Sequence, residues 1–201
     1  MVVRNYFYSF MSENFPFYPN VDTKWNYIKS RYNRIYHNMT HLTKMFTEFE
    51  SYIKNNDFVD YEVEYITKCM TLGIIFHDID RNVYSSVQYV KQFYDELSSY
   101  PEFRYESFMD NVILEIFSTD YINSSMKTLL SDLDLSILGS SKDEYDDYIC
   151  KMKKENIEWD IDLRKEKIRN LLDDEIYCTK YFKDLYENRA RINLENEYNS
   201  Y

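Results

Sequence analysis

Apolar and polar positions alternate along the chain in a run of helix-length segments. Trp25, Ile28 and Tyr32 recur at helical spacing behind Asp22 and Thr23, either of which can cap that segment. Met39, Leu42, Met45, Phe46, Phe49 and Ile53 form a three-four stripe that predicts a helix from residue 38 to about 52, broken by Asn55-Asn56-Asp57. Residues 59–77 are the most apolar segment, with Val63, Ile66, Met70, Gly73, Ile74 and His77 along one face. They predict a central helix ending at His77. Further helices are predicted over about 82–97, closed by Pro101, and over 102–117, with Phe103, Phe108, Val112 and Phe117 inward. After a polar loop at 118–125, residues 129–139 set Asp132 and Asp134 among leucines, and Gly139 ends the segment. Charged helices follow over 142–156, 160–173 and 178–196.

No strand-like alternation with turn punctuation recurs, and two glycines cannot supply a set of β-hairpins. The fold class is therefore all-α. At 201 residues the chain suits one domain, 1–201. Its aromatic start, residues 1–21 with Tyr6, Phe7, Tyr8 and Phe10, is expected to pack on that domain. Arg4, Asn5 and Ser9 interrupt this stretch and no small-residue cleavage site follows, which argues against a signal peptide. Pro16 and Pro19 mark a turn after it.

Composition narrows the function classes. A net charge of -11 repels nucleic-acid phosphates, so bulk polynucleotide binding is not expected. A small anionic substrate remains compatible if a metal and a few arginines reverse the field locally. Cys69, Cys150 and Cys178 are odd in number and widely spaced, which fits a reducing cytoplasm better than a disulfide framework. Scarce glycine with abundant tyrosine and asparagine suits an AT-rich coding sequence; if the gene is viral, the compartment is the host cytoplasm. No apolar run has transmembrane length, so no membrane partner is expected. The many tyrosines make a homodimer plausible.

The chemistry gathers where the histidines are. All three fall between Arg34 and Asp78: His37 and His41 four residues apart, and His77 beside Asp78 at the end of the apolar helix. Two histidines at i and i+4 can chelate one metal if they share a helical face. Adjacent His77 and Asp78 can serve one site only if the helix stops there. Two imidazoles with two carboxylates suit Mn, Fe, Co, Ni, Zn or Mg. Each histidine taken alone could instead be a hydrogen-bonded core residue. Asp132 and Asp134, in apolar company, must be paired, hydrogen-bonded or metal-bound. Cys69 lies on the apolar helix, where packing is the plainer role than a nucleophile. Base stacking by Tyr36 or Tyr84 is a minor alternative to amphipathic packing.

In order, Arg34-Ile35-Tyr36-His37-Asn38 with His41, then Phe76-His77-Asp78, Asp132-Leu133-Asp134-Leu135 with Leu138-Gly139, and Ala190-Arg191-Ile192-Asn193-Leu194 resemble the HD-domain phosphohydrolases, and more narrowly the group of predicted metal-dependent HD-superfamily phosphohydrolases. The resemblance implies an HD-type helical bundle with one divalent ion held by His41, His77, Asp78 and Asp134. It implies that Arg34, His37 and Arg191 face a phosphorylated substrate, with a nucleotide expected; apart from the resemblance, Arg81 next to the site is either a phosphate contact or a solvated loop arginine. Arginine suits bidentate contact with phosphate oxygens. Asp78 and His37 are then the catalytic candidates. The chain departs from the family at Asn82-Val83, where an Asn-Glu pair is usual, and at Asp120-Tyr121-Ile122, where a histidine is usual. If the missing Glu is the water-orienting base, Asp80 is the candidate substitute. The alternative is a catalytically weakened HD-fold protein that binds a nucleotide or a protein partner.

Overall fold

The computed structural model describes residues 1–98, 106–120, 126–156 and 159–201. Pro101, Phe103 and Ile122, and most of the predicted 118–125 loop, lie outside the described residues. The described chain is all-α: ten helices, one 3₁₀ turn and no strand beyond a single antiparallel bridge from Asn33 to Asn38. Among the described residues no helix is long and apolar enough to cross a membrane.

The chain divides into two compact units. The first, Met1–Asn33 with His37–Phe117, holds α1 (Val2–Asn14), α2 (Val21–Arg31), α3 (Met39–Lys54), α4 (Asp60–Phe76), α5 (Val83–Ser98) and α6 (Glu106–Phe117). Its centre is α4, which packs against α1, α3, α5 and α6. Every residue from Cys69 to His77 is buried, Thr71 included, so this half of α4 is enclosed all round, as the apolar run over residues 72–76 requires. Leu72, Ile74, Ile75 and Phe76 are each at most 2% exposed. Burial of such side chains contributes roughly 1.5–3 kcal/mol apiece, and that fixes the depth and rotation at which α4 delivers its C-terminus.

The aromatic N-terminal stretch is a full helix. Val3, Phe7, Phe10 and Met11 are its buried face, at the three-four spacing of an amphipathic helix, and Phe7 meets Trp25 of α2 and Phe93 of α5. It ends at Phe15, whose N–H closes on Met11 O ahead of the Pro16 turn.

The second unit, Arg34–Tyr36 with Ser118–Tyr201, holds α7 (Leu129–Leu135), the 3₁₀ turn Ser136–Gly139, α8 (Lys142–Glu155), α9 (Ile161–Leu172) and α10 (Lys180–Asn199). Here α10 lies across the 3₁₀ turn. Gly139 permits the approach, because a Cβ added there would stand 2.5 Å from Tyr186 Cβ. Asn193 Nδ2 then donates to Leu138 O and Ser140 O, and Tyr177 O–H to Leu135 O.

Candidate metal centre

Three of the four residues that the resemblance assigned to a metal meet inside the first unit. His41 Nε2 and His77 Nε2 stand 3.4 Å apart, His77 Nε2 lies 3.7 Å from Asp78 Oδ2, and the three residues offer ligand atoms all within 4.8 Å of one another. His41 and His77 are buried; Asp78 is half-buried.

Local sequence places each side chain. Asn38 caps α3, its side-chain oxygen accepting from Thr40 N and His41 N, so His41 is fixed in the first turn of the helix. His37 precedes that cap and is not on the helix. The i, i+4 pair therefore does not chelate from one helical face, and the His37 and His41 rings meet edge to face with centroids 5.6 Å apart. At the other end, α4 stops at Phe76 and His77 is its C-cap. This break lets adjacent His77 and Asp78 turn toward one point.

His77 Nδ1 lies 2.9 Å from Ile74 O. A carbonyl can only accept, so Nδ1 carries the hydrogen, and in the neutral ring Nε2 presents its lone pair toward His41 and Asp78. Orientation of a ligating imidazole through its other nitrogen is the usual supporting arrangement in metal sites. Three Lewis bases aimed at one small volume call for a shared cation, either a proton or a metal. A tetrahedral site with bonds of about 2.1 Å has edges of about 3.4 Å, which the His41–His77 separation matches. The donor set of two imidazoles and a carboxylate fits a borderline or hard divalent ion.

Around this cluster, His37 Nε2 stands 3.1 Å from Asp78 Oδ2, on the same oxygen that faces His77. Asp80 is held on both oxygens: Oδ2 pairs with Arg31 at 2.8 Å and Oδ1 accepts from Asn82 N. Arg31 also donates through Nε to Ile79 O. Nothing in the sequence marks Arg31: a basic residue in the last turn of α2 carries no signal that it clamps a loop 48 residues away. Arg81 is exposed in the turn before α5. Cys69 is buried, and burial pushes its thiol up to about 12, which suits packing and not nucleophilic attack.

The remaining predicted residues belong to the second unit. Asp134 lies half-buried on α7. Arg34 is 3.9 Å from Glu155 Oε1, and Glu155 also accepts from Tyr36 N. Arg191 pairs with Glu187 and donates to Leu172 O and Asp174 O after α9. The requirement that Asp132 be satisfied is met without metal. It is fully buried, and its carboxylate accepts from Cys178 N and Thr179 N, both at 2.8 Å. Burial raises its pKa, and those backbone donors partly offset the rise. Arg164 and Glu197, which no sequence motif marks, pair at 2.7 Å with side chains 11% and 5% exposed. Helical charges so far apart look solvated until the fold joins them.

Comparison with protein-family models, with curated proteins and with solved structures returns no match to this chain.

Proposed function

We propose that the protein is a divalent-metal phosphohydrolase acting on a small phosphorylated molecule, with a nucleotide the favoured substrate. The observation that carries this reading is the convergence of His41, His77 and Asp78 on one point, in the residue order that resembles the HD-domain phosphohydrolases. Asp134, the fourth ligand that the resemblance implies, belongs to the second unit and is not part of this cluster. When bound, a divalent ion supplies Lewis-acid polarisation of a phosphoryl oxygen and lowers the pKa of water.

The chain's own residues supply orientation. Ile74 O holds His77 in the tautomer that leaves Nε2 available, and His37 fixes the Asp78 carboxylate through Oδ2. Arg31, through Ile79 O and Asp80, keeps the turn after Asp78 in one conformation. In this reading Arg81, exposed next to Asp80, meets substrate phosphate; Arg34 and Arg191 are the further phosphate candidates. In this reading His37 is the first candidate to take or give a proton, and Asp80 could do so only on leaving Arg31 and Asn82 N.

A specific observation favours the second reading, an HD-type binding protein with weakened catalysis. Val83 stands where a Glu is usual, and Asp80, its candidate substitute, is already engaged by Arg31 and Asn82. The discriminating experiment measures phosphate release from a panel of nucleoside mono-, di- and triphosphates in Mn, Co and Mg, for the native protein and His77→Ala. Turnover that His77→Ala abolishes supports the hydrolase. Metal binding without turnover of any panel member favours the binding protein, and turnover unaffected by His77→Ala would overturn the metal-centred reading.

A further inference from the structure

The first unit holds a second feature with the character of a ligand site. Between α2 and α5 lies a cavity of about 330 Å³, roughly twice the 150 Å³ or so that suffices for a benzene ring. Its floor is apolar and buried, made by Ile28, Phe76 and Phe93 at 1%, 2% and 5% exposure. Tyr27 and Tyr89 form one wall, their ring centroids 6.2 Å apart. An apolar body with a few polar groups at its edge is the usual make-up of a small-molecule site.

The cavity is bracketed at both ends. At one end Glu96 of α5 takes both the Lys24 ammonium and the Tyr18 hydroxyl. At the other, Arg31 lies over the Tyr89 ring at 5.3 Å and is itself anchored on Ile79 O and Asp80. These contacts tie α2 to α5 across both ends of the slot, so a ligand would meet walls already fixed and lose little to reorganisation.

The rim sets the ligand's chemistry. Lys24 and Glu96 cancel one another, which selects neither an anion nor a cation. Gln92 lines the slot from an exposed position on α5, with no hydrogen bond to another described residue, and offers an amide donor and acceptor side by side. The geometry points to the α2–α5 slot as a binding site for a flat, neutral purine-type ring, its body among Tyr27, Tyr89 and Phe93 and its donor–acceptor edge on Gln92. A Gln amide matches such an edge in bidentate fashion, as it does the N6/N7 edge of adenine. Nothing in this assignment depends on the metal cluster.

Chemical-shift mapping of the ¹⁵N-labelled full chain with adenine and with indole tests it. Adenine is expected to give saturable shifts in the amides of 23–28 and 89–96, with indole, which lacks the paired edge, binding more weakly. Tyr27→Ala should weaken adenine about five-fold through lost ring contact, and Gln92→Leu should remove the preference for adenine over indole. Thr23→Trp, which fills the slot from an exposed position, should abolish both while leaving the rest of the spectrum in place. Absence of saturable shifts in those two segments would overturn the assignment, as would adenine shifts that survive Thr23→Trp. Equal affinity for adenine and indole would overturn the Gln92 edge.

Discussion

His41 Nε2 and His77 Nε2 stand 3.4 Å apart although 36 residues separate them in the chain. An N-cap fixes one and a helix end fixes the other, and each owes its position to backbone hydrogen bonds as much as to side-chain packing. The site therefore rests on two helix termini and on the turn that follows the second.

That turn is where Arg31 acts. Arg31→Ala removes the bonds to Ile79 O and Asp80 and frees the backbone after Asp78. Metal affinity is expected to fall about ten-fold without being lost, as for other partners that orient metal ligands. Competition against a chromogenic chelator measures it. An unchanged affinity would show that the turn is held without Arg31.

The second unit should carry a distinct acid sensitivity. Burial alone would raise the Glu197 pKa, but Arg164 and the hydroxyls of Tyr145 and Tyr201 outweigh it and hold the carboxyl below its ordinary 4.5. A depressed folded pKa gives stability that is whole above the unfolded value and lost as pH falls through the folded one. Urea midpoints should therefore show native protein ahead of Glu197→Gln at neutral pH, with the gap narrowing as pH drops below about 4.5. Asp132, raised by burial, runs the opposite way in both proteins and cancels in the comparison. A gap independent of pH would contradict the assignment. Arg164→Ala leaves Glu197 buried with only the Tyr145 and Tyr201 hydroxyls as donors and should cost about 3 kcal/mol at neutral pH.

Gly139 is required for space and not for backbone conformation, since no glycine in the described chain has positive φ. An added Cβ would meet Tyr186 Cβ at 2.5 Å and Cα at 2.9 Å. Gly139→Ala should destabilise by roughly 1–3 kcal/mol in denaturant unfolding. Adding Tyr186→Ala should not restore the loss, because Cβ and Cα remain; full restoration would mean that only the ring was in the way.

Much of this was legible before the fold. The helical spacing of apolar residues over 38–52 and 59–77 marks α3 and α4 within a few residues, and 59–77, the most apolar segment, is the helix whose second half is enclosed. The pairing of His77 with Asp78 demanded a helix end, and the chain supplies one. What periodicity could not convey was contact across sequence. Arg31 on Asp80, Arg164 on Glu197 and Asp132 on the N-terminus of α10 join charges whose partners lie 49, 33 and 46 or 47 residues away. The aromatics of residues 1–21 imply packing, while the helix itself is carried by the spacing of Val3, Phe7, Phe10 and Met11. His37, grouped with His41 by spacing, belongs outside α3.

Metal stoichiometry tests the account most directly. Equilibrium dialysis with elemental analysis, run against Mn, Fe, Co, Ni, Zn and Mg on native protein, His41→Ala and His77→Ala, should give about one bound ion per native chain and at least about a hundred-fold weaker binding in each variant, with helical content unchanged. Native protein that binds none of these ions, or variants that bind as native does, would contradict the metal centre at His41, His77 and Asp78.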